Sequence, residues 1–475
     1  MAALFRLFHL GSESLWYDEA VTAELVHLDW RNFWKVLSHV EANSALYFCL
    51  LRAWVTVGES EFVLRSLSAL AGVFAVASVY VLGKRMFDTK VALIAAALIA
   101  TNSFHIQYSQ EARGYSLLVL FATLSSLYFL KAIEHSSRMG WAAYILTATL
   151  AVYCHFFGLL VLEAHCAALI LVRPRSIPWR PLLVSFFVIG VLLVPLAIFA
   201  LGRGTGQIAW VPRVVPHDVY DLFGSLAGRG RLLGLAYLVT CGIATFCAFR
   251  AWLQSDKSFG TWNYAFLLSW LFVPILTGFV VSLWKPVFVD RYFIICLPPF
   301  VLLAAAGISQ IRPRWAFVGS LAVLLSLSGR AIFQYYSYRH KEDWRGTTAY
   351  VVSHASPKDG ILFYLGHGRF AFDYYIRRLN PAGQKWQLVR PEPFDRTGVS
   401  EEVIVQLSNS MVTPMSAGYG RVWLVLSHND LTQTDQMETD SIETALQSKY
   451  PNVTDQDFRG VQLLLYSSSD RHKSY

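Results

Sequence analysis

Between about Glu61 and Arg330, apolar residues run in stretches of 15 to 22 positions separated by short polar or basic breaks. A helix needs about 20 such residues to cross about 30 Å of hydrocarbon, so each stretch predicts a membrane-spanning helix. The predicted spans lie at about 62–83, 89–104, 114–132, 141–155, 157–172, 182–201, 232–250, 263–284, 290–308 and 314–330, ten in all. The segment 45–57, ALYFCLLRAWVTV, has thirteen residues and is too short to span upright; Tyr47 and Trp54 suit it to the membrane interface. Past Arg330 the texture changes. GILFYLG (360–366), RVWLVLSH (421–428) and GVQLLLYSS (460–468) read as largely buried strands, with helices over 370–380 and 440–450 and a loop-rich stretch at 390–420. The pattern predicts a polytopic α-helical membrane protein: a first external segment at 1–61, a transmembrane bundle at 62–330 and a C-terminal α/β domain at 331–475.

Composition agrees with lipid as the solvent. Of the 475 residues 55% are hydrophobic and only 15% charged, against about 25% charge in soluble domains. The net charge of +8 does not point to nucleic acid, because no block of Lys and Arg is interleaved with aromatics and much of the excess lies between apolar runs. The alternate loops 84–90, 131–140, 173–180, 250–260 and 309–314 hold twelve basic residues in 42 positions, against seven in 46 for 105–113, 202–231 and 285–291. Basic residues favour the cytoplasmic side, which puts 1–61, the three sparser loops and the tail on the opposite face. The cysteines at 49, 154, 166, 241, 247 and 296 lie in apolar segments without paired spacing, so neither a disulfide framework nor a zinc site is implied. The opening MAALFRLFHLG is too short to span and lacks the form of a signal peptide, and no internal repeat is visible.

Three polar segments on the non-cytoplasmic face could carry chemistry. In GSESLWYDEAVTAELV (11–26), the adjacent carboxylates Asp18 and Glu19 stand beside Trp16 and Tyr17. An interfacial aromatic belt, with Asp18 capping a helix from Glu19, accounts for them equally well. HIQYSQEARGY (105–115) joins two spans and places Gln110, Glu111 and Arg113 beside hydrocarbon, either as a local ion pair or as a second acidic element of a site. KPVFVDRYF (285–293) offers Arg291, Tyr292 and Lys285. A guanidinium fits a phosphate bidentately, whereas an interfacial anchor set with an ion pair to Asp290 is the structural alternative. The long loop 202–231 contains His217 and Asp218 as possible contacts. Trp344 and Arg345 in HKEDWRGTTAYV (340–351) read as a hinge docking the tail, and His155 as a satisfied polar residue between spans.

In this order, SLWYDEA (14–20), ALYFCLLRAW (45–54), Arg65 in the first full span, YSQEARGYSLL (108–118), RYFIICLPPF (291–300) and KEDWRG (341–346) resemble the GT-C membrane glycosyltransferases of the protein mannosyltransferase and aminoarabinose transferase type. They are closer still to relatives of the Rhizobium lipopolysaccharide core glycosyltransferases. The resemblance runs over essentially the whole chain and implies a GT-C fold. It also implies an inverting glycosyltransferase that uses a polyprenyl-phosphate sugar, on the outer face of a bacterial inner membrane, to modify a lipid, cell-envelope glycan or protein. Asp18 would be the catalytic carboxylate, with Glu19, Gln110, Glu111, Arg113 and His217 in the donor and acceptor site and Arg291, Tyr292 and Lys285 on the lipid phosphate. No cofactor is implied, although related enzymes differ in using a divalent metal. The family places a complete membrane helix before the DE segment, and AALFRLFHLG resembles the last turns of one, so the expectation is a gene start upstream or a truncated chain. A transporter or flippase for a lipid-linked glycan, or a noncatalytic scaffold presenting the tail, are the alternatives.

Overall fold

The computed structural model describes residues 1–39, 41–171, 177–201, 211–253, 259–338, 341–356, 358–366, 368–379, 387–388, 407–427 and 433–468. Its helices, numbered in chain order, begin with α1 (Ala2–Leu7), α2 (Tyr17–His27), α3 (Trp30–His39), α4 (Ala45–Trp54), α5 (Glu61–Met86), α6 (Thr89–Ala100) and α7 (Ser103–Ser109). There follow α8 (Tyr115–His135), α9 (Arg138–Cys154), α10 (Gly158–Leu171), α11 (Trp179–Leu201), α12 (Pro216–Leu226), α13 (Arg231–Leu253) and α14 (Phe259–Ser282). The last are α15 (Leu297–Ser309), α16 (Arg314–Tyr338), α17 (Trp344–His354), α18 (Gly368–Leu379), α19 (Asn409–Ser416) and α20 (Gln433–Lys449). The chain divides into two compact units, one of residues 1–10 and 37–339, the other of 11–36 and 340–475. The segment read in sequence as one piece, 1–61, contributes to both.

The first unit is helical, and seven of its helices are long and apolar enough to cross a membrane among the described residues. The run expected at 89–104 forms a pair, α6 and α7, bent by 62°. The expected spans at 141–155 and 157–172 are the shorter α9 and α10, of 17 and 14 residues. The span expected at 290–308 opens as a 3-10 turn, Asp290–Cys296, before α15. Helix starts follow local chemistry. Ser60, Asp88, Asn102 and Ser137 each accept a hydrogen bond from a backbone amide in the first turn of α5, α6, α7 and α9, a cap contributing about 1 kcal/mol.

The second unit carries a five-stranded sheet ordered β2-β1-β3-β5-β4, from β1 (Gly360–Phe363), β2 (Gln387–Leu388), β3 (Arg421–Leu426), β4 (Asn452–Phe458) and β5 (Val461–Ser467). The β1 pairings to β2 and β3 are parallel, and β5 is antiparallel to β3 and β4. Buried β1 and β3 form the interior, as their continuous apolar runs require. Leu362, Leu424, Leu446 and Tyr450 belong to the core on which α20 closes. Positions 202–210 of the expected loop 202–231, and 390–406 of the expected loop 390–420, lie outside the described residues.

Candidate active site

In the second unit, the acid-bearing segment is fixed by the tail. Tyr375 of α18 receives the Leu15 amide at 2.8 Å and the Ser14 hydroxyl at 3.2 Å. The Arg345 amide donates to Ser14 Oγ at 2.9 Å, while the Arg345 guanidinium reaches the carbonyls of Gly11 and Ser12. The Arg377 guanidinium forks onto both oxygens of Glu24 at 2.7 Å, and Arg459 pairs with Glu13 at 3.0 Å. Arg345 thus binds the acid-bearing segment, and Trp344 is buried.

The two adjacent carboxylates have different fates. Trp16 caps α2 and Tyr17 begins it, so Asp18 lies inside the first turn rather than at the cap. Glu19 is fully buried and pairs with the Lys341 ammonium at 2.8 Å; its carboxylate also accepts from the Trp16 amide at a long 3.5 Å. A buried carboxylate with a cation at contact distance is held in place. Asp18 is half-buried. Nearby Asp373 is pushed up to about 6 by burial, with Glu24 adding to the shift and Arg369 opposing it.

In the first unit, the polar residues gather where helices break. Asn102, at the bend between α6 and α7, caps α7 and also donates to the Leu226 carbonyl at 2.8 Å, tying α12 to the break. Gln110, just after α7, commits its amide to the carbonyls of Phe8 at 2.7 Å, Phe5 at 3.2 Å and Arg6 at 3.3 Å, and accepts from Tyr335 at 3.0 Å. It therefore anchors the turn that carries Glu111 and Arg113. Glu111 is buried and accepts from the Gln107 amide at 3.1 Å. A Cβ on Gly114 would stand 3.2 Å from both the Cys154 carbonyl and the Tyr47 Cβ, so this turn is tight enough to favour glycine.

Asn43 pins the break between α9 and α10 by contacting His155 Nε2 at 3.0 Å and accepting from the Phe156 amide at 3.0 Å. The His155 ring packs 4.7 Å from that of Tyr292, and Arg113 and Arg291 both lie within electrostatic reach of it. Glu111, Asp290 and Arg229 are likewise within electrostatic reach of Tyr108. The bundle thus collects Glu111, Arg113, His155, Arg291 and Tyr292 from three separate breaks in one neighbourhood. Lys285 is exposed. His217 is exposed on α12, 3.5 Å from Asp221, and lines a cavity of about 650 Å³; Asp218 accepts from the Val215 amide at 2.8 Å and serves as a cap.

Several organising residues carry no sequence signal of function. Asn43 and Asn102 read as ordinary break polars and Arg229 as a loop charge. Only the apolar surroundings of Asn102 could have drawn attention to it, since a polar residue inside a predicted span needs a partner.

Comparison with known proteins follows from this geometry. Residues 44–201 match the family model of dolichyl-phosphate-mannose-protein mannosyltransferase. The structure resembles ArnT from Cupriavidus metallidurans in the apo state, with a TM-score of 0.62 at 13% identity over 97% of this chain and 96% of ArnT. It also resembles the same protein bound to undecaprenyl phosphate, with a TM-score of 0.60 at 12% identity over 99% and 97%. The Archaeoglobus fulgidus oligosaccharyltransferase tethered with an acceptor peptide matches with a TM-score of 0.53 at 14% identity, over 99% of this chain and 73% of that one. No curated protein matches in sequence. The fold is that of the GT-C glycosyltransferases, as the ordered segments from SLWYDEA to KEDWRG imply.

Proposed function

From the GT-C glycosyltransferase fold as premise, we propose that this multi-pass membrane protein is an inverting enzyme that moves a sugar from a polyprenyl-phosphate donor to an acceptor on the extracytoplasmic face. The observation that carries the reading is the placing of the DE pair: buried Glu19 pairs with Lys341, and half-buried Asp18, in the first turn of α2, is assigned as the carboxylate for chemistry. As an acceptor hydroxyl attacks the anomeric carbon, Asp18 takes its proton; the bond from that carbon to the phosphate oxygen breaks and the lipid phosphate leaves as an anion. Arginine stabilises the departing charge without proton transfer, the role given to Arg291, with Tyr292 beside it. Glu111 and Arg113 contribute to sugar binding, while Gln110 and Glu19 hold their segments in place. His217 and Lys285 remain peripheral contacts.

The lipid donor is supported by undecaprenyl phosphate in the ArnT neighbour and by the family-model match; the outward placement is supported by the basic-residue bias between loops. The acceptor class, whether lipid, cell-envelope glycan or protein, is set by cavity shape. The test is transfer from a panel of polyprenyl-phosphate sugars by the full-length protein in detergent, with and without a chelator. Turnover that survives chelation is expected. Donor that binds and is never consumed, with every acceptor class supplied, would instead favour a carrier of lipid-linked glycan.

A further inference from the structure

Arg229 is the residue whose geometry remains unexplained by the roles above. It adopts a left-handed backbone conformation, φ +64°, between Gly228 and Gly230, a conformation rare for a residue with a side chain and often kept at functional positions. The backbone around it is pinned. Its amide donates to the Gly224 carbonyl at 2.7 Å, Ser103 Oγ donates to the Gly228 carbonyl at 2.7 Å, and Asn102 holds the Leu226 carbonyl. The guanidinium stacks over the Phe104 ring, with its Cζ 5.4 Å from the ring centroid. Its contact with Asp290 is a long 3.4 Å, and Asp290 already accepts from Ser225 Oγ at 3.0 Å and the Arg291 amide at 2.7 Å. The buried Nε of Arg229 has no hydrogen-bond partner.

This arginine forms part of the wall of two cavities. One, of about 280 Å³, is lined by Ser103, Gln107, Gln334, Tyr335 and Tyr338, so Arg229 is its one charged side chain among the described residues; Gln107 also holds Glu111. The other, of about 650 Å³, contains Asp290, Arg231, Phe223 and Leu238. Phe223 and Leu238 continue into an apolar groove of about 480 Å³ along α13, past Gly242, Phe246 and Phe249. Leu238, Gly242, Phe246 and Phe249 recur at helical spacing on one stripe, and the eleven helical steps from Leu238 to Phe249 extend about 17 Å, roughly half the hydrocarbon thickness.

We propose that Arg229 is the phosphate anchor of a single-chain isoprenoid phosphate, whose hydrocarbon lies in the α13 groove and whose headgroup enters the Gln107 cavity. A lone cation among neutral hydrogen-bonding groups complements one anionic phosphate, and the single apolar stripe takes one chain. Binding would exchange the long Asp290 contact for a charge-assisted bond to phosphate oxygen. The inference rests on the lipid-phosphate reading above and adds to Arg291, whose amide bonds the same Asp290 that Arg229 contacts, a second guanidinium from outside the RY segment.

The experiment measures equilibrium binding of radiolabelled undecaprenyl phosphate, undecaprenol and geranyl phosphate to the full chain in detergent, with inorganic phosphate and phosphatidylglycerol as competitors. Arg229→Gln should weaken undecaprenyl phosphate by about 10- to 100-fold and leave undecaprenol unchanged. Arg229→Lys, which keeps the charge, should lose less and controls for folding. A Cβ on Gly242 meets no atom within 4 Å, so the helix admits a side chain there and Gly242→Phe places a ring in the groove; it should weaken undecaprenyl phosphate and spare geranyl phosphate. Parent-like binding by Arg229→Gln and Gly242→Phe, or equal displacement by phosphatidylglycerol, overturns the proposal while leaving the lipid-phosphate reading standing. Competition by inorganic phosphate at the same concentration as the lipid would mark a free-phosphate site and overturns it too. A parent that binds no isoprenoid phosphate defeats both.

Discussion

The two units place a carboxylate by opposite means. In the unit of 11–36 and 340–475, the acid-bearing segment is held largely by charge: Lys341 on Glu19, Arg377 on Glu24 and Arg459 on Glu13. In the bundle, the turn carrying Glu111 is held by neutral groups, with the Gln110 amide spread over three carbonyls and Gln107 donating to Glu111 itself. The difference follows from the solvent. Water screens and solvates charges at modest cost, whereas groups surrounded by apolar helices are cheapest when neutral and hydrogen-bonded. Clamping by the partly exposed pairs, Arg377 with Glu24 and Arg459 with Glu13, should therefore answer to salt, and clamping by amides should not.

The largest effect is expected at Lys341. Replacing it with methionine strands the buried Glu19 and should lower the stability of its unit by about 3 kcal/mol, with most of the loss recovered by adding Glu19→Gln; denaturant unfolding of the full chain, followed by hydrogen exchange over 11–36, measures both. Gln110→Leu abandons several carbonyls and should cost about 2 kcal/mol, read as a lowered unfolding midpoint in detergent that is independent of salt. An effect of comparable size concerns pH. Asp373 sits at about 6 in the folded state, against an ordinary value of 3.8, so the folded state favours its protonated form. That contribution is complete below the ordinary value and is lost as pH rises through about 6; Asp373→Asn should flatten the stability profile across this window by up to about 3 kcal/mol. Arg377→Ala should cost less than about 1 kcal/mol and nothing measurable in high salt, because its pair with Glu24 is partly exposed.

What was legible in the sequence was whatever burial alone decides. Each of the ten apolar runs is helical, and β1, β3 and β5 lie where the apolar patches put them. The bend between α6 and α7 was hidden because Thr101 and Asn102 interrupt an apolar run by only two residues, and the partners that stabilise the break, such as Leu226, are more than a hundred positions away. β4 escaped because NVTDQDF is an exposed edge with no alternating face. The assignment of 11–36 to the tail depends on contacts such as Ser14 to Tyr375, 361 positions apart, which leave no local trace. At the candidate site the DE pair was visible, but the pairing of Glu19 with Lys341, 322 positions away, requires the fold.

The most direct test of the account compares Asp18→Asn with the parent in sugar transfer from a polyprenyl-phosphate donor, with donor binding measured on the same preparations. Turnover should fall by about 100-fold or more while donor affinity is retained, as expected when a general base is removed. Turnover within a few fold of the parent would contradict the assignment of Asp18 as the base.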